Sequence, residues 1–166
     1  HWPAREFLSR WKALEDLYVA GRVRAIGVSN FKKHHLEELE KHSKVRPMIN
    51  QIEAHGYFMD EETVAYCREK GIALQAWRPL MRTGNMLENA DIQKIGQKYG
   101  KSAAQVALRY LIQRGFTVIP KSVHLERMRE NIDIFDFALT EEEMCFMRTL
   151  NTGKRTAGDP DTFILP

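Results

Sequence analysis

The chain has 166 residues, 43% of them hydrophobic and 28% charged, with a formal net charge of +3. That length suffices for one ordinary domain with a sizeable core, while the charge excess is too mild for a nucleic-acid-binding protein, which needs a dense basic stripe. No apolar run approaches the roughly 20 residues of a membrane span. Cys67 and Cys145 lie far apart in helix-like stretches without metal-ligand spacing, which fits a reduced, cytoplasmic protein with two buried thiols.

Short β-branched runs alternate with amphipathic helices along the chain. In "EFLSRWKALEDLYVAG", Phe7, Trp11, Leu14 and Tyr18 recur at helical steps and Gly21 closes the helix. "VRAIGV" follows as a buried strand beginning near Val23, "HHLEELEKH" as a short helix, and "PMINQIE" as the second strand, beginning near Met48. "DEETVAYCREKG" has an aspartate N-cap and a terminal glycine, and leads into a third strand, "IALQAW". "SAAQVALRYLIQRG" opens with Ser102 and Gln105 at capping-box spacing and runs into "FTVI", the fourth strand; "TEEEMCFMRTL" repeats the box with Thr140 and Glu143. The end, "NTGKRTAGDPDTFILP", is an irregular tail over residues 151–166 that must drape over something.

Such alternation predicts parallel strands joined by right-handed helical crossovers. Each predicted strand ends in a polar cluster: Ser29 with Asn30, Gln51 with Glu53, Trp77 with Arg78, and Lys121 with Ser122. In parallel α/β folds, function collects at the C-terminal strand ends. No Gly-x-Gly-x-x-Gly follows a strand, which argues against a Rossmann dinucleotide site. A closed eight-stranded barrel takes about 250 residues, so the chain has room for about half of one.

The segments "VRAIGVSNF", "NQIEAH", "LQAWRPL" and "VIPKSVHLERMRENIDIFDFALTEEEM" together resemble the cofactor-binding strand ends of the aldo-keto reductases, and the opening "HWP" is similar to the family motif at the end of the fourth strand. The resemblance implies an α/β TIM (β/α)8 barrel, of which residues 1–166 supply about the last four strands as its C-terminal half. It also implies NADPH as cofactor and reduction of a small-molecule aldehyde or ketone to an alcohol. A catalytically inactive half-barrel, or a nucleotide-binding family member that is not an enzyme, is the alternative. Of the family's catalytic aspartate, tyrosine, lysine and histidine, only the last has a counterpart, His1; the other three belong upstream of the fourth strand's end, so the isolated chain is expected to be inactive.

On their own chemistry, Ser29, Asn30 and Gln51 present a hydroxyl and two amides, which match the donor and acceptor of a carboxamide; turn and cap chemistry explains Ser29 and Asn30 equally well. The resemblance assigns all three to the nicotinamide carboxamide. Trp77 stands where the family commonly has a tyrosine stacked on the nicotinamide, and its larger π face serves the same role. Arg78, in place of a family serine near the pyrophosphate, can pair with phosphate or point to solvent; Leu80 belongs to the same stretch. Lys121, Ser122 and Arg127 offer charge-assisted bonds where a strand end meets a helix. By resemblance they hold the adenosine 2′-phosphate, while Glu130 and Asn131 reach the adenine. His55 is expected to be structural. His34, His35, His42 and His124 have no carboxylate or cysteine at metal-ligand spacing, so no metal site is expected. A half-barrel has two open sheet edges and an apolar inner face, near which Ile26, Ile49, Leu74 and Val118 are placed. The isolated chain is therefore expected to self-associate or to pair with a missing N-terminal half.

Overall fold

The computed structural model describes residues 1–81 and 85–163. Helix α1 (Phe7–Val19) precedes strand β1 (Gly27–Ser29), and α2 (Lys33–His42) leads to β2 (Ile49–Glu53). Then follow α3 (Glu61–Glu69), β3 (Ala73–Trp77), a 3₁₀ turn (Met86–Glu88), α4 (Ala90–Tyr99), α5 (Ala103–Gln113), β4 (Phe116–Val118), α6 (Leu125–Ile132) and α7 (Glu141–Thr149). The strands form a sheet in the order β1-β2-β3-β4. β1 and β2 pair in parallel, with Gly27 opposite Ile49 and Ser29 opposite Gln51. At least one helix separates each strand from the next, as parallel neighbours require.

The caps act as their residues dictate. The Asp60 carboxylate accepts from Thr63 N–H at the start of α3. The Ser102 hydroxyl oxygen accepts from Gln105 N–H while Gln105 Oε1 accepts from Ser102 N–H. Thr140 and Glu143 repeat this exchange on α7. Helix α4 has no counterpart in the sequence reading. Asn89 Oδ1 caps it, accepting from Asp91 N–H and Ile92 N–H, and Gly100 ends it with a left-handed φ of 65°.

The first strand is shorter than the run from Val23 predicts. Val23 is solvent-exposed, and the carbonyl of Ile26 accepts from Met48 N–H at 2.9 Å, so the chain approaches the sheet over 23–26 and joins it only at Gly27. A second correction concerns the thiols: Cys67 is buried in α3, but Cys145 is exposed on α7. The core of α7 is formed instead by Met144 and Met147.

Two compact units make up the chain, the first comprising His1–Ile52, Asp60–Gln75 and Ala157 onward, the second Glu53–Met59 and Ala76–Thr156. Trp11, Leu36, Leu39, Val64, Ile72 and Leu74 form much of the first core. In the second, Met86, Ile92, Val106, Leu108, Leu111, Ile134 and Met147 are almost wholly buried.

Strand alternation sorts the side chains of the first unit. Val28, Asn50 and Leu74 are buried, and Asn50 Nδ2 reaches Cys67 Sγ of α3 at 3.7 Å, so this face meets the helices. Ser29, Ile49, Gln51 and Gln75 are half-buried on the other, where Gln51 Nε2 donates to Gln75 Oε1 at 2.6 Å. The predicted inner-face set therefore divides. Ile26 and Leu74 are buried, Leu74 on the helix side, whereas Ile49 shares the face of Gln51.

Candidate cofactor site

In the second unit, the turn after β4 and helix α6 open onto a cavity of about 930 Å³. Its lining includes Leu80, Lys121, Ser122, Arg127, Glu130 and Asn131, six residues that the sequence reading drew from two separate segments. Ser122 ends the approach to α6 in a tight turn, its hydroxyl oxygen accepting from His124 N–H at 3.1 Å and its hydrogen directed to His124 O at 3.3 Å. Glu130 is fixed by a hydrogen bond from the Ser102 hydroxyl, so the cap of α5 also orients a cavity carboxylate. Lys101, on the same wall, pairs with Asp133 and Asp136 at 2.8 Å each. Among the described residues neither Lys121 nor Arg127 has such a carboxylate, and two uncompensated cations beside a hydroxyl suit a phosphate group.

Gln93, Gln97, Lys101 and Ser102 also line the cavity; of these the sequence marks only Ser102, and as a helix cap. Gln93 and Gln97 stand one turn apart on α4, a helix that Asn89, Ile92, Gly96 and the closing Gly100 mark in the sequence.

Trp77 ends β3, half-buried, with the Arg78 guanidinium 5.2 Å from its ring centroid. That is cation–π distance. Arg78 itself resolves the choice left by the sequence in a third way. Its Nη1 donates to the Thr156 carbonyl at 2.8 Å and to Thr156 Oγ1 at 3.2 Å, so the guanidinium fastens the start of the tail. Thr156 also gives its N–H to Glu53 Oε1 at 2.7 Å, and His55 Nε2 lies 3.3 Å from the same oxygen. Burial pushes the Glu53 carboxyl up, but the bonds from His55 and Thr156 outweigh it and hold the group below its ordinary range. His55 is buried within this network, a structural placement.

The first unit gathers Ser29, Asn30 and Gln51. The Ser29 hydroxyl donates to the Gln51 carbonyl at 2.9 Å. Asn30 is buried with a left-handed φ of 63°, a conformation asparagine tolerates, and its Nδ2 donates to Ser29 Oγ at 3.2 Å and to the His1 carbonyl at 3.4 Å. His1 therefore reaches this cluster through its backbone, while its ring stands edge-on to Trp2 with centroids 6.1 Å apart. Gln75 joins the set through Gln51. It was missed although a step of two back from Trp77 points to it.

The sequence profile of the Aldo/keto reductase family matches residues 1–151. The chain belongs to this family. Its α/β fold, with a four-stranded sheet, matches part of the aldo-keto reductase TIM barrel. It is 46% identical to the glyoxal reductase of Bacillus subtilis over 165 residues, which covers 99% of this chain and 59% of that protein. It is 48% identical to a 9,11-endoperoxide prostaglandin H2 reductase of Trypanosoma cruzi, with 98% and 59% covered. The crystal structure of apo Gox0644 superposes with a TM-score of 0.95 at 38% identity, covering 99% of this chain and 62% of that one. A Bombyx mori aldo-keto reductase in complex with NADP superposes with a TM-score of 0.87 at 36% identity, covering 95% and 54%. This aldo-keto reductase chain thus spans about three-fifths of the length of the curated relatives it matches. Among its described residues, no helix is long and apolar enough to cross a membrane.

Proposed function

We propose that the chain supplies the cofactor-binding part of an aldo-keto reductase that uses NADPH to reduce an aldehyde or ketone to an alcohol. The observation that carries this reading is the cavity of the second unit, where Lys121, Ser122 and Arg127 stand together with Glu130 and Asn131. Two cations with no carboxylate partner among the described residues and a hydroxyl pre-set by its turn fit a phosphate monoester, and Glu130 and Asn131 offer the acceptors and donors that an adenine edge requires. A mutant of Gox0644, whose fold matches with a TM-score of 0.94, is itself in complex with NADPH.

When bound, NADPH supplies the hydride. The chain's residues position and polarise. Lys121, Ser122 and Arg127 hold the 2′-phosphate, and Leu80 forms part of the cavity wall. Trp77 offers the nicotinamide the ring face that Arg78 does not cover. Ser29, Asn30 and Gln51 take the carboxamide, which must share or replace the hydrogen bonds they now make to one another, to Gln75 and to backbone carbonyls. The His1 imidazole, as a neutral donor, stabilises negative charge developing on the carbonyl oxygen.

The test is cofactor discrimination in the intact barrel that carries this chain. A hydrogen bond to a charged group contributes ~1.5–3 kcal/mol, so Lys121→Ala or Arg127→Ala weakens NADPH binding roughly 10- to 100-fold in a fluorescence titration. NADH, which lacks the phosphate, barely responds. Equal losses for both cofactors would sink the assignment.

A further inference from the structure

His34 and His35 are consecutive in the first turn of α2, their ring centroids 4.0 Å apart. The irregular tail brings Asp161 back onto them within the first unit. Asp161 Oδ1 lies 3.0 Å from His34 Nε2 and 3.4 Å from His35 Nε2, and the three ligand atoms all fall within 4.8 Å of one another. Around a tetrahedral zinc ion with bonds near 2.0–2.2 Å, ligand atoms stand about 3.3 Å apart. Both nitrogen–oxygen separations lie close to that value. We propose that His34, His35 and Asp161 bind a divalent transition-metal ion of the zinc type.

The donor set supports this class. Two imidazole nitrogens and a carboxylate oxygen suit zinc, copper or nickel rather than magnesium or calcium, which take oxygen ligands. The carboxylate is also oriented from behind. Lys32 Nζ holds Asp161 Oδ2 at 2.6 Å and Asp159 Oδ1 at 2.5 Å, which leaves Oδ1 facing the imidazoles, an outer partner of the kind that fixes metal ligands. His34 and Asp161 are exposed enough for an ion to enter. With three protein ligands, one position is left to water.

Binding has a cost that limits its strength. Lys32 N–H donates to His35 Nδ1 at 3.2 Å, so the neutral ring carries its proton on Nε2. Coordination through Nε2 moves that proton to Nδ1 and gives up this long hydrogen bond. The nearby Lys32 ammonium weakens binding further. The site is therefore weaker than a closed four-ligand zinc centre.

The test is a Zn²⁺ titration of the 166-residue chain against a chromophoric chelator, with histidine ¹H–¹⁵N spectra recorded in parallel. The expected result is saturable binding of a single ion that shifts the Nε2 resonances of His34 and His35 and turns His35 Nδ1 from acceptor to protonated. His34→Ala and Asp161→Asn each weaken binding at least ~10-fold, with circular dichroism confirming that both fold. His42→Ala leaves affinity unchanged, since that ring pairs with Glu38 at 3.0 Å further along the helix. Three results would overturn the site: no saturable binding, affinity undiminished in His34→Ala and Asp161→Asn, or resonance shifts confined to other histidines.

Discussion

Cys67 and Cys145 differ in environment rather than chemistry. Cys67 has no accessible surface, and burial pushes its thiol up to about 11, leaving almost no thiolate at neutral pH. Cys145 lies exposed on α7. An aromatic disulfide reagent at about pH 8 should therefore label Cys145 rapidly and Cys67 only as fast as the fold opens. Cys145→Ser should remove the fast phase of the absorbance trace; a fast phase that survives would place the accessible thiol at Cys67. Arg78 teaches a related lesson. A cation next to an expected phosphate site is as readily absorbed by a backbone carbonyl and an indole face, and nothing in its neighbours along the chain announces Thr156.

At the scale of elements, β1 and β2 approach each other closely at Gly27. A Cβ at Gly27 would stand 2.7 Å from the Ile49 carbonyl oxygen and 2.3 Å from Ile49 Cγ2. The side chain can turn aside, but the backbone oxygen belongs to the neighbouring strand. Gly27→Ala should cost about 1–3 kcal/mol in urea unfolding, as overpacking does, and a neutral result would mean that β1 can move away from β2. The elements whose ends carry strong signals were legible: Asp60, Ser102 and Thr140 each cap the helix that the sequence places after them. Helix α4 carries signals too, in Asn89 and Gly100, but lacks the capping box that marks α5 and α7. The strand-end residues around the cavity could be read because the parallel α/β rule places function there. What could not be read was whatever depends on distance through space: the Glu53–Thr156 bond, the Ser102–Glu130 bond, and the arrival of Asp161 beside two histidines that local spacing left without a carboxylate.

For the molecule as a whole, the apolar residues left outside the two cores are as informative as those within them. Leu14, Leu17 and Val19 on α1 are exposed in the first unit; Leu125, Met128 and Ile132 on α6, with Phe135, are exposed in the second. β1 and β4 are the outer strands of the sheet order. Open edges and apolar surface of this kind drive association. The isolated chain should self-associate, or pair with the remainder of a barrel, in light scattering over a range of concentrations. It should also show no carbonyl reduction, since the resemblance gives it no counterpart of the family's proton-donating tyrosine. A compact monomer at micromolar concentration would refute the first expectation, and aldehyde-dependent NADPH turnover the second. The tail also has an optical signature. Trp2 stacks on Phe163 with centroids 4.2 Å apart and planes 21° from parallel, next to the segment that Lys32 secures through Asp159 and Asp161. One indole is thereby a built-in gauge: its emission colour and its accessibility to a soluble quencher register, without any label, whether the last stretch of chain is seated.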